Sequence, residues 1–166
     1  MSNPERLKKP VSASVVTMST LMGPSHANIF GKVHGGIILK IADEVSYVCG
    51  CKHSGYQCVT ASVDRVDFYH SINIGDVVTL EASINVVGRT SMEIGVKVTA
   101  ENLLKGTKVH TNSCYITMVA LDSEGKPVEV PELILENDND IRRNNEALHR
   151  RKQRLDQIFQ KNNEKK

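Results

Sequence analysis

The 166-residue chain contains no tryptophan and only four tyrosines and three phenylalanines. Its basic residues are not interleaved with aromatics, and no DNA-recognition module is visible, so nucleic acid is not an expected partner. No apolar run approaches the roughly 18 residues of a membrane span, and residues 1–10 are polar and charged rather than an apolar leader. Membrane insertion is therefore not expected, and the expected location is the cytoplasm. Cysteine is sparse. Cys49, Cys51, Cys58 and Cys114 lie in apolar or strand-like surroundings and read as reduced core thiols, not as a disulfide framework. Cys49-Gly50-Cys51-Lys52-His53 lacks the two-residue gap and the second ligand pair of a zinc site, so no metal is expected. Internal repeats and low-complexity segments are also missing.

Neither sign of charge dominates, at net +2, but the balance hides an asymmetry. Residues 142–166 carry nine Lys or Arg against three acids, a net +6, which leaves −4 on the preceding 141 residues. The length suits one domain with a full core plus a modest extension. We place that domain at residues 1–131 and a hinge with a basic helical tail at 132–166. Val11 to Leu21 reads as a first strand, and Gly35 to about Cys51 as a long apolar helix broken by His53-Ser54-Gly55-Tyr56. Four strands follow: Val59 to Tyr69, Val77 to Val87, Ser91 to Glu101 and Val109 to Leu121. With no helix between them, these four are expected to be antiparallel neighbours. A single apolar helix must be wrapped by such a sheet, and it cannot seal both edges, which points to a homodimer. In the tail, Glu136 to Asp140 reads as a polar hinge. From Ile141 the pattern Ala147, Leu148, Leu155, Ile158, Phe159 suits an amphipathic helix packed on its own oligomer, with a phosphate-binding or partner-binding face as the alternative.

Chemistry concentrates where Ala27-Asn28-Ile29-Phe30-Gly31-Lys32-Val33-His34-Gly35-Gly36 enters the helix that carries Asp43. Glycines at a helix entrance let a ligand approach the backbone, where the first amides are unpaired donors at the positive end of the dipole. Gly36 and Asp43 differ by only about 20° around the axis, so donors and carboxylate share one face. Ile38, Leu39, Ile41, Ala42 and Val45 mark the surroundings as buried, and a buried acid needs a partner or a job. By position alone, a glycine-led core helix with an acid at its edge fits equally well.

Asn28, the His34-Gly35-Gly36 triplet, Asp43-Glu44, Asp67-Phe68, Gly75-Asp76 and Gly88-Arg89-Thr90-Ser91 occur in this order over the strand, helix and four strands. In this the chain resembles the hotdog-fold acyl-CoA thioesterases, in particular the cytosolic acyl-CoA hydrolase branch, over roughly Val11 to Pro131. The resemblance implies an α+β hotdog fold, an antiparallel sheet wrapped around one long helix. It implies hydrolysis of the acyl-CoA thioester to a free fatty acid and CoA, with no cofactor because CoA is part of substrate and product. Asp43 would be general base or nucleophile, Asn28 would hold water or carbonyl, and the amides of Gly35 and Gly36 would polarise the carbonyl. His34 would be secondary, shaping the loop. Gly88, Arg89, Thr90 and Ser91 would contact CoA, with Arg142, Arg143 and Arg150 as possible phosphate contacts. Relatives share sites across a dimer, so Asn28 of one chain is expected to face Asp43 of the other, and the dimers are expected to assemble as a trimer of dimers.

Each residue also has a structural explanation. Asn28 could cap a turn, Glu44 could pair with Lys40, and an arginine in a hairpin turn is often simply solvated. The cysteines have no histidine and carboxylate placed beside them and are not expected as nucleophiles. A non-catalytic acyl-CoA sensor is the alternative function. A dehydratase would normally pair a histidine with its acid, and Asn28 with Asp43 favours water chemistry instead.

Overall fold

The computed structural model describes residues 6–163 and, within the last turns of the tail, leaves aside the side chains of residues 157–159 and 161–163. Ile158 and Phe159 of the tail pattern lie outside the described residues. A five-stranded antiparallel sheet, ordered β2-β4-β5-β6-β3, curls around helix α1. Its strands are β2 (Val16–Leu21), β3 (Gln57–Val63), β4 (Val77–Val87), β5 (Ser91–Asn102) and β6 (Thr107–Leu121), and α1 spans Gly35–Ser54. Short β1 (Lys8–Pro10) pairs in parallel with β7 (Glu132–Ile134), and α2 (Asp138–Asn163) closes the chain.

The helix α1 starts where His34, in extended conformation, accepts the Gly36 N–H at Nδ1 (2.9 Å), and it stops at Gly55, whose φ of 78° suits a residue without Cβ. Ile38, Ile41, Ala42, Val45, Cys49 and Gly50 recur every three or four residues and form one buried stripe. They meet Leu80, Ile84, Met92, Ile94, Ile116 and Met118 of the sheet. Each large aliphatic side chain so buried contributes about 1.5–3 kcal/mol.

Two expectations about the strands need correction. The segment from Val11 does not open as a strand: Val11–Ser14 is a 3-10 turn, because Ser14 is fully buried against His53 at 3.0 Å. The strand expected over Val59 to Tyr69 is β3, ending at Val63, after which Asp64 N–H and Tyr69 N–H still donate to Tyr115 and Thr111 carbonyls of β6. The four strands are antiparallel neighbours as expected, in the order β4-β5-β6-β3, with β3 beside β6 and β2 beside β4. The connection through residues 64–76 is long enough to cross the sheet, so the tight turn at Asn73 to Asp76 does not fix the pairing. In that turn buried Asp76 accepts from Asn73 N–H (2.9 Å) and from the Asn102 amide (3.0 Å), which gives Gly75-Asp76 a structural role.

The polar stretch 136–140 is a helix cap, not a hinge. Asn137 Oδ1 accepts from Asp140 N–H and Asp140 Oδ2 accepts from Glu136 N–H, both at 3.0 Å. The tail that follows packs on the outer face of its own sheet, with Ala147 fully buried.

Candidate active site

Asp43 stands at the edge of the buried stripe and is half-buried, not enclosed, because the sheet covers only one side of α1. Thr60 Oγ1 of β3 donates to Asp43 Oδ1 at 2.5 Å. Two residues later the β3–β6 register shifts between Thr60 and Ser62, a bulge of the kind that re-aims side chains beside functional sites. The carboxylate opens onto a cleft of about 480 Å³ lined by Met18, Tyr47, Val48, Cys58, Val59 and Met118. A fixed carboxylate beside an apolar cleft can take a proton from water next to an acyl chain.

Thr60 was missed by sequence reasoning. Its signal is a hydroxyl in the apolar run Cys58-Val59-Thr60, opposite core residue Met118 in the ladder. Glu44, on the next face, pairs with Lys40 at 2.6 Å, as an ordinary helix ion pair.

The glycine entrance lies elsewhere. Gly35 lines a second cleft, of about 320 Å³, with Val33, Ile38, Phe68, His70 and Ser71. Gly36 and Asp43 share a face but stand seven residues apart, about 10 Å along the axis. The Gly36 N–H is taken by His34, which makes that histidine the N-cap and leaves Gly35 as the free-pointing amide of the first turn. Asn28 lines neither cleft: its Oδ1 accepts from Phe30 N–H (2.9 Å) and Lys32 N–H (3.1 Å), holding the loop with Ile29 and Phe30 almost fully exposed. One chain therefore does not bring Asn28, Gly35 and Asp43 together.

The Gly88 to Ser91 segment is the β4–β5 hairpin, closed by Gly88 N–H on Ser91 O at 2.7 Å, and Arg89 is exposed. Gly88 and Ser91 line a cleft of about 310 Å³ with Thr117, Arg151, Arg154 and Leu155. The tail arginines have partners within the chain. Arg142 pairs with Glu146 at 2.7 Å, Arg143 donates to Ser83 at 2.8 Å, and Arg150 holds buried Glu93 at 2.7 Å with its guanidinium over Tyr115.

All four cysteines are free. Burial pushes the Cys49 thiol up to about 12 and the Cys58 and Cys114 thiols up to about 11, so all three stay protonated at neutral pH. Among the described residues, no three His, Cys, Asp or Glu are grouped to hold a metal, and no helix is long and apolar enough to cross a membrane.

Residues 30–107 match the thioesterase superfamily family model. VdlD of Helicobacter pylori is 43% identical over 137 residues, covering 82% of this chain and 78% of VdlD. The acyl-CoA thioester hydrolase YkhA of Bacillus subtilis is 36% identical over 85% of this chain and 82% of its own length. A hexameric acyl-CoA thioesterase superposes with TM-score 0.88 at 36% identity, over 92% of this chain and 97% of that one. An acyl-CoA hydrolase from Staphylococcus aureus, solved with butyryl coenzyme A, coenzyme A and coenzyme A disulfide, superposes with TM-score 0.87 at 30% identity, over 94% and 95%. Forms of that enzyme carrying Asn28Ala, Asp43Ala and Thr60Ala have also been solved. The wrapped helix and curled sheet are those of a hotdog protein, and the chain belongs to the thioesterase superfamily, among its acyl-CoA thioester hydrolases.

Proposed function

We propose that acyl-CoA thioester hydrolysis runs in this chain through Asp43 as general base, oriented by Thr60. The Asp43–Thr60 hydrogen bond at the mouth of an apolar cleft is the observation that carries this reading. Asp43 takes a proton from water as the water oxygen attacks the thioester carbon. The C–S bond then breaks, and the same proton passes to the leaving thiolate, giving free acid and CoA thiol. The reaction needs no metal or organic cofactor in this scheme. This chain has asparagine, aspartate and threonine at the three numbers substituted in the Staphylococcus aureus enzyme, which supports the assignment.

The site is completed by a second copy. Separation of Asn28 and Gly35 from Asp43 in one chain supports a dimer in which Asn28 and the Gly35 amide of one protomer reach Asp43 of the other. Edge strand β3 and the adjoining flank of α1 leave Tyr47, Val48, Val59 and Val63 exposed, an apolar face of the kind that oligomers cover. A trimer of such dimers fits the hexameric relative. Gly88 to Ser91 would meet CoA from the hairpin side, and Arg151 and Arg154 border that cleft in place of Arg142, Arg143 and Arg150. Free cysteines and a relative named for the cytosol support a cytoplasmic location.

Thiol release from acyl-CoAs tests the base. Asp43→Asn is expected to lose about 10²- to 10⁴-fold in kcat. Retained turnover would overturn the assignment, and saturable acyl-CoA binding without wild-type turnover would mark a sensor. Mixing Asn28→Ala with Asp43→Ala tests sharing: exchanged dimers should regain about a quarter of wild-type activity, since half of them are hybrids with one intact site of two. No recovery after exchange would place both residues in one chain's site.

A further inference from the structure

We infer that the cleft beside Asp43 is the acyl channel and that Tyr47 is its end wall, so that Tyr47 sets the longest acyl chain hydrolysed. This rests on Asp43 being the site of hydrolysis. Tyr47 stands one helical turn beyond Asp43 on the same flank of α1, about 6 Å along the axis, and both line one cleft. Besides Asp43, Tyr47 and Thr60 the walls are Met18, Val48, Cys58, Val59 and Met118, and the one other charged lining residue, Glu44, is held by Lys40. That lining suits a hydrocarbon chain and would leave a polar group unpaired.

The walls differ in compliance. Met18 and Met118 are unbranched thioethers that adapt to the width of a chain. The Tyr47 ring is planar and stiffer, and the Cys51 thiol one turn further along the helix raises the phenol above its ordinary value. Width is therefore adjustable while length is capped. Each methylene that fits should raise kcat/KM by about fourfold, and the first one that meets the ring should reverse the trend.

The test is thiol release from a series of straight-chain acyl-CoAs, short to long, by wild type, Tyr47→Ala, Tyr47→Trp and Asp43→Asn. The expected wild-type profile rises and then breaks. Tyr47→Ala should move the break to longer chains and raise the long-to-short ratio of kcat/KM at least tenfold, while Tyr47→Trp should move it to shorter ones. Breaks that stay in place in both variants overturn the channel assignment, because a folding or assembly defect lowers every chain length alike. If Tyr47→Ala does not fold, the Tyr47→Trp profile decides alone. Loss of activity in Asp43→Asn with unmoved breaks rejects this inference and leaves the catalytic reading standing, whereas full activity in Asp43→Asn rejects the catalytic reading beneath it.

Discussion

Thr60 on β3 donates its hydroxyl to the Asp43 carboxylate on α1, across the seam where the sheet edge meets the helix. One oxygen of Asp43 is thereby fixed, and in the proposed reaction the other would meet the water. Thr60→Val keeps the shape and removes the donor. We expect kcat to fall about 10- to 100-fold with little change in KM, the size of effect that loss of orientation produces. Thr60→Ser should restore most of it. Steady-state kinetics of the two variants check this, and unchanged kcat in Thr60→Val would remove Thr60 from the site.

Glu93 is fully buried under α2, where Arg150 and Arg154 both hold it at 2.7 Å and Arg154 also reaches Asp64 at 2.6 Å. Glu93→Gln leaves two arginines facing a neutral amide. Removing one member of a buried ionic cluster is expected to cost about 3 kcal/mol. Urea unfolding measures the loss, and faster hydrogen exchange over residues 142–156 would locate it in α2.

His53 is buried, with Nε2 3.1 Å from the Pro131 carbonyl and Nδ1 3.0 Å from the Ser14 hydroxyl. Since a carbonyl only accepts, Nε2 carries the proton and Nδ1 accepts from Ser14. Burial pushes the ring below its ordinary value near 6.5; the Pro131 carbonyl opposes this, and Lys9 and Arg6 add to it. The unfolded chain then binds a proton that the folded chain refuses. Stability is therefore present above about pH 6.5 and is lost as pH falls from there toward the folded value. His53→Gln should flatten that slope. Urea midpoints at about pH 8 and pH 5.5 for both proteins check it, and equal slopes would contradict it.

Gly95 and Gly88 should respond differently to alanine. A Cβ at Gly95 would lie 2.5 Å from the amide nitrogen of buried Asn85, which is hemmed in against Glu93. Gly95→Ala is expected to cost about 1–3 kcal/mol. A Cβ at Gly88 would meet the Arg151 guanidinium and the Ser91 hydroxyl, both at 2.8 Å and both able to swing away. Gly88→Ala should change stability by under about 0.5 kcal/mol. Thermal or urea unfolding of the pair checks the contrast.

Local patterns made much of this protein legible in its sequence. Strand β4 has the expected bounds of Val77 to Val87, because alternating apolar residues and the turns at Gly75 and Gly88 act over a few residues. The glycine-led helix is likewise a matter of nearby residues: an extended His34 that caps it, a buried stripe at helical spacing, and Gly55 to stop it. The motif around Asn28, Asp43 and Gly88 pointed to the family in the same way.

What depends on distant pairing was not legible. Placing β3 beside β6 rather than β4 is decided by which strand edges meet once the sheet curls, and no local pattern records that. The same pairing carries Thr60 to Asp43, which are seventeen residues apart in the chain. Gly35 stands about 10 Å from that carboxylate by helical rise alone, and only the fold shows that Asn28 is held in a loop that lines neither cleft. The tail arginines are basic in any reading, and only the docking of α2 on Glu93 and Asp64 turns them inward. Composition and spacing thus determined the elements and the family resemblance, because those are properties of neighbouring residues. Tertiary structure decided which groups meet, because side-chain partnership is set by packing across the curled sheet.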